Sequence, residues 1–407
     1  MNRLRERILE SPAIRGSLFY GAYWSVFALY MPFMNLELTR RGFTGVEVGS
    51  IGSIRGFIIM LAAPIFSRLA DRLGIRVKML RVFMMLSAVG VTLLMFPQSY
   101  AWLIAAAVFL SVMQSPIDPL SNSITVRMAR RYHLDFGKMT FWGAFAFATM
   151  NLIGGAVWEQ FGFRWIYLCA GVMYVIVSVI AANLEEPVEV NEAGEPVLTK
   201  PQAAGKLNLP PSVLFFFVAH FGVNFAYFCA FGFTAPILDM RGANEFVIGL
   251  VGTVIGVGGM IIRRNSQRII DRFSPETAMI MGILAGLIPI FVYGWVDNMA
   301  LMVVFSVFRG AGWGLFQVCA VRYLDEKGSV QNASTLQGIL VMLNTLAGII
   351  ASTLSGYLFD TNLVMIFVIS AGMIFFSLAC LLVVKHLNRR SALVENSEPM
   401  PEANLPA

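Results

Sequence analysis

Between two long apolar runs lies a polar island, Ser67-Arg68-Leu69-Ala70-Asp71-Arg72-Leu73-Gly74-Ile75-Arg76-Val77-Lys78, in which Asp71 is the sole carboxylate among Arg68, Arg72, Arg76 and Lys78. Two hundred positions on, and again between apolar runs, it recurs as Arg268-Ile269-Ile270-Asp271-Arg272. The correspondence reaches back without a gap: Phe33, Leu38, Arg41 and Gly42 fall on Phe233, Leu238, Arg241 and Gly242. Gly49, Gly52, Gly56 and Met60 fall on Gly249, Gly252, Gly256 and Met260. A glycine spacing alone can arise by chance. The same spacing in one register with Arg-x-x-Asp-Arg points to an internal duplication, which sets the architecture before any local reading does.

The chain has 407 residues, of which 57% are hydrophobic and 13% charged, and a mean hydropathy of +0.71. A soluble surface of that size needs more charge, and the apolar runs reach the roughly 20 residues that a bilayer-spanning helix takes. A helix satisfies its own backbone hydrogen bonds, as hydrocarbon demands, so the composition implies a polytopic helical membrane protein. The basic pI near 9.2 does not indicate a nucleic-acid partner, because the positive charge lies in loops beside the apolar runs. Cys169, Cys229, Cys319 and Cys380 lie singly in apolar surroundings, without metal or redox spacing, and read as small packing residues. Arg3, Arg5 and Arg7 precede a first run from about Gly16 to Leu36. That run is too long for a signal core and no small-residue cleavage site follows it, so it reads as a first span with a cytoplasmic start.

Spans are expected near 16–38, 46–67, 78–96, 101–126, 138–158 and 164–183, then near 211–237, 246–267, 278–295, 299–322, 334–358 and 363–384. This gives an all-α membrane protein of twelve transmembrane helices in two six-helix halves, 1–183 and 211–384. A linker, 184–210, is rich in Glu, Pro, Gly and Ala, and a polar tail, 385–407, reads as disordered. Short turns such as Phe96-Pro97-Gln98-Ser99 separate some spans. One set of loops carries Arg68, Arg72, Arg76, Lys78, Arg81, Arg127, Arg130, Arg131, Lys138, Arg268, Arg272, Arg322 and Lys327; the other carries only Arg40, Arg41, Arg164 and Arg241. The richer set is therefore cytoplasmic, with both termini and the linker. The linker's Glu185, Glu186, Glu189, Glu192 and Glu195 do not disturb this, since acidic residues contribute little to orientation.

Six spans, a linker and six spans, with a matching Arg/Asp loop after the second span of each half, resembles the major facilitator superfamily. The superfamily loop is roughly Gly-x-x-x-Asp-Arg-x-Gly-x-Arg/Lys. Asp71, Arg72, Gly74 and Arg76 match it and Ser67 stands where Gly is usual; Asp271 and Arg272 match, with Ser274 and Pro275 following. The chain is similar to the branch holding lactose permease and phenylpropionate-permease-like transporters. Tyr30-Met31-Pro32-Phe33, Phe136-Gly137-Lys138 with Trp142-Gly143, Val321-Arg322-Tyr323-Leu324 and Ser334-Thr335-Leu336-Gln337-Gly338 carry that likeness. The resemblance implies two halves rocking about a site near the bilayer midplane. It also implies a gating latch in the loops of Asp71, Arg72, Gly74, Arg76, Arg268, Asp271 and Arg272. Asp71 could accept from a helix N-terminus or a neighbouring Arg and hold the cytoplasmic side shut. In the alternative these charges only set topology.

Polar groups inside spans are costly in hydrocarbon and mark a solute pathway by default. Arg55 and Arg309 lie near the middle of the second and tenth spans. Asp118 sits between Pro116 and Pro119, which should loosen the fourth. His220 and Asn224 share a face of the seventh, Trp313 and Gln317 follow Arg309 at helical spacing, and Asn344 is in the eleventh. Tyr23, Trp24 and Trp142 offer flat faces to a sugar ring or aromatic group. Each has a structural alternative. Arg55 could be paired within one half, His220 could be a core histidine, the amides could bridge helices, and the tryptophans could anchor or pack. Arg263 and Arg264 should snorkel, and Glu37 and Glu159 lie toward outer span ends.

In alignment with lactose permease, Arg309 replaces that protein's tenth-span His, Gly312 its proton-carrying Glu and Thr140 its galactoside-gripping Arg. Lactose is therefore disfavoured and proton coupling left open; if protons couple, Asp118 is the first candidate carrier and Glu37 the second. A carboxyl in an apolar cavity resists ionisation, although Arg55 and Arg309 oppose this if they lie near. No nucleotide-binding loop, enzyme constellation, metal cluster or cofactor signature is present in the sequence. The expected partners are a small-molecule solute, protons and the lipid bilayer, and the chain is read as a monomer of the plasma (inner) membrane. The reading is a proton-coupled importer of a sugar, nucleoside or organic acid. The alternatives are a proton-antiport exporter of amphiphilic compounds or drugs, and a non-transporting sensor or scaffold.

Overall fold

The computed structural model describes residues 11–96, 99–186, 209–327 and 333–395, and helices make up nearly all of them, with no strand among them. The first half holds α1 (Pro12–Arg40), α2 (Gly45–Leu73), α3 (Arg76–Leu93), α4 (Tyr100–Gln114), α5 (Ile117–Arg131), α6 (Phe136–Phe161) and α7 (Ile166–Ala181). The second holds α8 (Pro211–Phe231), α9 (Thr234–Met240), α10 (Glu245–Arg272), α11 (Pro275–Trp295), α12 (Met299–Lys327), α13 (Ala333–Thr361) and α14 (Leu363–Glu395). The N-terminal 1–10, the turn residues Pro97 and Gln98, the linker residues 187–208, residues 328–332 and the tail 396–407 lie outside the described residues.

Among the described residues nine helices are long and apolar enough to cross a membrane, counting α4 with α5 and α8 with α9 as one each. The rest of the expected twelve correspond to α1, α3 and α7, each of which falls short for a visible reason. Tyr20, Tyr23, Trp24 and Tyr30 lower the hydropathy of α1, Arg76, Lys78 and Arg81 open α3, and α7 has 16 residues. The fourth span is broken at Ser115–Pro116, as the prolines predict, and the seventh is broken again at Gly232–Phe233. The twelfth runs on to Glu395, past residue 384, because Asn388 docks its amide on Glu276 (2.8 Å) and the Tyr323 hydroxyl (3.3 Å). The part of the predicted tail up to Glu395 is therefore helix.

The duplication shows in local geometry. Gly42 and Gly242 end their helices with φ of 92° and 86°, a left-handed turn that a side chain would strain. Thr44 and Asn244 then cap α2 and α10, accepting from Glu47 N and Val247 N. Arg41 donates to the carbonyls of Leu94 and Met95, and Arg241 to those of Tyr293 (2.8 Å) and Val296. In each half, the same arginine hooks the same helix end.

Within the first half α1 packs on α6 and α7, and α3 on α7 and α4; within the second α11 and α10 pack on α12, and α8 on α13 and α14. The halves meet chiefly along α2 against α13 and α6 against α10. The glycine stripes do the joining. Gly45 and Gly49 lie against Gly356 and Ser352, and Gly249 and Gly252 against Asn151 and Gly155. Between described residues, the hydrogen bonds and ion pairs that cross from one half to the other all lie toward the end opposite the basic loops. Arg40 bonds Asp239 and Glu245 (2.5 Å each), Asn244 bonds Glu159 (2.8 Å), and Ser53 bonds Thr353 (2.7 Å). Past Ser53 only Ala70 is buried in α2, and past Thr253 only Gly258 in α10. The molecule is thus sealed at one end and splayed at the basic end.

Candidate functional site

Below the seal, a cavity of about 270 Å³ lies between α1, α6, α8–α9, α10 and α12. Its walls are mainly apolar: Met31, Phe147, Phe231, Ile248, Val251 and Ile255 line it, with Asn35, Asn151, Thr234 and Arg309 supplying the polarity. Arg309, from the middle of α12, is the one charged group in that wall. Its Nη1 donates to Thr234 Oγ1 at 3.1 Å and its guanidinium lies 4.3 Å from the centre of the Phe231 ring. No carboxylate among the described residues is within ion-pair distance of it. The break between α8 and α9 makes this holder, setting the Phe231 face and the Thr234 hydroxyl one turn apart on either side of Gly232.

Arg55, from α2, reaches the other side of the cavity wall. Its Nη1 contacts Met31 Sδ at 2.8 Å, and Met31 lines the cavity that Arg309 faces. Arg55 forms no ion pair with Asp118. Asp118 sits in the first turn of α5 and accepts from the Tyr23 hydroxyl at 2.5 Å. Asp118 is exposed, and it is not among the residues lining the cavity of Arg309. Around it Tyr20 donates to Asn122 (2.7 Å), and Gln114 donates to Tyr30 (2.8 Å) and Tyr174 (2.7 Å). These hydroxyls and the Gln114 amide are buried within the first half, which turns Met31, Asn35, Phe147 and Asn151 to the cavity, while the second half turns to it a guanidinium on an aromatic ring.

Other expected residues fall elsewhere. His220 is buried (1% exposed), its ring stacked on Phe316 with centroids 5.6 Å apart and Phe216 tilted beside it; it lies inside the second half, not on the cavity wall. Asn224 is fully buried, and its Oδ1 accepts from Gln317 (2.8 Å) and Trp313 (3.4 Å), so these three form one bridge between α8 and α12. Asn344 is half-buried in α13, its Oδ1 enclosed without a hydrogen bond. Trp142 is 50% exposed against Phe141 and Phe145. It stands about two and a half turns before Asn151, on the opposite side of α6 from that cavity residue. Glu37 is buried, ion-paired with Arg41 and bonded by the Tyr167 hydroxyl (2.7 Å), so it closes the sealed end of the first half. Glu159 meets Asn244 at the seal.

In the basic loops, Asp71 accepts from Arg76 Nε at 2.6 Å, tying α2 to the start of α3 within one half. Gly74 provides the left-handed turn (φ 64°) between them. Asp271 accepts from Gln267 (2.8 Å), and Arg72, Arg268 and Arg272 are exposed. The linker's opening carboxylates belong to the same face. Glu186 takes the N–H groups of Arg76 (2.5 Å) and Val77 (2.8 Å), and Glu185 takes Arg15 (2.7 Å) and the Tyr132 hydroxyl (2.6 Å).

Asn35, Asn151, Phe231 and Thr234 were not singled out from the sequence. Asn35 and Asn151 carry the same signal as Asn344, a polar side chain inside an apolar span. Thr234 and Phe231 carry none until the break at Gly232 is known.

Known proteins fit this geometry. The chain is 24% identical to maltose permease of Geobacillus stearothermophilus over 360 residues (84% of this chain, 86% of that one). It is 21% identical to the probable 3-phenylpropionic acid transporter of Escherichia coli (strain K12) over 346 residues (82% and 89%). It is 26% identical to the multidrug resistance protein MdtG of Serratia proteamaculans (strain 568) over 286 residues (65% and 66%). Its fold matches that of the nucleoside transporter NupG with a TM-score of 0.73 at 12% identity, covering 92% of this chain and 99% of that one. The model of the MFS_1 like family matches residues 13–390, so the chain belongs to that family and is a major facilitator superfamily transporter.

Proposed function

We propose that the protein is a secondary transporter that moves a small organic anion across the plasma (inner) membrane by alternating access, with Arg309 as the anion's anchor. One observation carries this reading: a guanidinium faces an interfacial cavity, held by Thr234 and Phe231, with no carboxylate among the described residues within ion-pair distance. A cation in low dielectric needs a counter-charge, and Arg grips a carboxylate or phosphate with two parallel hydrogen bonds. The apolar walls favour an acid with an apolar body over a polyol, whose hydroxyls would lack partners there. The relatives named for maltose, 3-phenylpropionic acid and nucleosides keep sugars and nucleosides within the wider class.

With the basic loops and both termini on the cytoplasmic side, the splayed end faces inward. In the wider reading the chain works as a monomer and couples to protons, and it is not an enzyme. Asp118 is the proposed proton carrier, since it is an exposed carboxyl within a span whose hydrogen bond comes from a neutral donor, Tyr23. A second reading, a proton-antiport exporter of amphiphilic compounds, is favoured by the same apolar walls and by the MdtG relatives. A thermal-shift screen of purified protein against organic acids, sugars, nucleosides and quaternary amines separates the two. Stabilisation by organic acids that is lost in Arg309→Ala is the expected result. Stabilisation by quaternary amines alone, undiminished in Arg309→Ala, promotes the exporter. A cysteine in 187–208 should resist an impermeant thiol reagent in intact cells while one at Gln98 reacts; the reverse pattern overturns the orientation.

A further inference from the structure

We propose that Asp360 is a positioning residue of the transport cycle: it locks the sealed end by holding the N-terminus of α2 from the opposite half. The first turn of a helix leaves N–H groups without intrahelical partners. In α2 the capping box deals with part of this, Thr44 accepting from Glu47 N and Glu47 from Thr44 N. The N–H groups of Gly45 and Val46 are left over. Both are taken by Asp360, Oδ1 at 2.7 Å and Oδ2 at 2.9 Å, and Asp360 lies near the end of α13 in the second half. One carboxylate thus answers two backbone donors and the positive end of a helix dipole, all across the moving interface.

Three observations make this a lock and not a general packing contact. It is single-copy: both helices have their own N-cap, Thr44 and Asn244, but the duplication puts Gln160, not a carboxylate, at the place that matches Asp360. It tops the tightest α2–α13 approach, where Gly45 meets the Gly356 carbonyl and Ser352 donates to the Gly49 carbonyl (2.9 Å). It also acts on the helix that carries Arg55, so releasing the α2 N-terminus frees that side chain to move with the first half. The lock is reversible because Asp360 and Val46 are already exposed. On opening, water replaces each partner, and only the charge-assisted pairing is lost.

The experiment reads distances and needs no solute, so it is independent of the proposed substrate. Nitroxide pairs are placed at Ser99 and Asn298, on opposite halves at the sealed end, and at Leu73 and Lys327 at the basic end. In Asp360→Ala the population with a long Ser99–Asn298 distance should rise about tenfold, the scale of a lost helix cap. The Leu73–Lys327 distance should shorten in the same proportion, since the halves rock together. Asp360→Asn, which keeps one acceptor and loses the charge, should fall between. Unchanged distributions at both ends overturn the proposal. So does broadening at both ends with no reciprocal shift, which is the signature of a merely loosened fold.

Discussion

Gly49 and Gly249, matched by the duplication, each lie against a backbone carbonyl of the opposite half: Gly49 against that of Ser352, Gly249 against that of Asn151. A Cβ at either place would meet carbonyl oxygen that cannot swing aside, unlike a flexible side-chain end. The sealed arrangement therefore depends on both positions having no side chain. Gly249→Ala should shift the halves toward the state open at that end, and Gly249→Leu should abolish the seal. The check is the distance between labels at Ser99 and Asn298. An unchanged distance in Gly249→Leu would mean that the helices can slide to accommodate it.

Arg309 supplies the second prediction. Lysine keeps the charge but not the planar fork, and it cannot lie on the Phe231 ring while reaching Thr234 in the same way. Arg309→Lys should weaken solute binding about tenfold and Arg309→Ala about a hundredfold, steps of about 1.4 kcal/mol each. Isothermal titration with the acid that stabilises the parent protein measures both. Equal affinities in parent and alanine variant would remove Arg309 from the site.

Asp71 holds Arg76 at the α2–α3 turn within the first half, and no hydrogen bond or ion pair between described residues joins the basic loops of the two halves. In the state closed at the basic end, the loop's charges would be free to engage the opposite half. Asp71→Asn should therefore slow turnover several-fold while changing solute affinity much less, measured as maximal rate against KM for uptake into vesicles. Normal turnover with lost binding would contradict it.

How far the sequence reveals this arrangement depends on what each feature needs. The duplication, the glycine stripes and the break at Pro116 are local patterns, and a chain reading finds them. Arg309 is legible because a charge in an apolar span is conspicuous. Its holders are not, since Thr234 and Phe231 matter only once the helix breaks at Gly232. Trp142 looked suited to a flat solute, but nothing in the sequence says which face of α6 turns inward, and the structure puts Asn151 and Phe147 there. Asp360 reads as an ordinary polar span end. Its partners are 314 and 315 positions away, and the duplication gives no copy to compare.

Asp118 and Glu37, the two candidate proton carriers, should behave differently. Asp118 is exposed and has one neutral hydrogen-bond donor, Tyr23. Glu37 is enclosed by Arg41 and Tyr167 at the sealed end. Asp118→Asn should leave solute exchange intact and remove the dependence of uptake on a proton gradient. Glu37→Gln should lower thermal stability and leave that dependence in place, because a buried pair is broken. Gradient-driven uptake that survives Asp118→Asn would exclude Asp118 as carrier.

The linker's first carboxylates give a pH prediction whose sign can be worked out. Partial burial opposes the charge on Glu185, but the hydrogen bonds from Tyr132 and Arg15, with Arg131 nearby, outweigh it and hold the carboxyl below the usual Glu range. A carboxyl lowered in the folded state binds protons less readily there than when unfolded. It therefore contributes stability above the unfolded pKa of about 4.3, and that contribution disappears as the pH falls through the folded value. Glu185→Gln should unfold at a lower temperature than the parent at pH 7, and the two curves should converge below about pH 4. The contribution is modest, since Glu185 keeps 30% of its side-chain surface exposed and solvent screens the pairing. A constant gap between the two from pH 7 to pH 3.5 would show that the variant acts by shape and not by charge, and that the tie to Arg15 is incidental to the stability of this face.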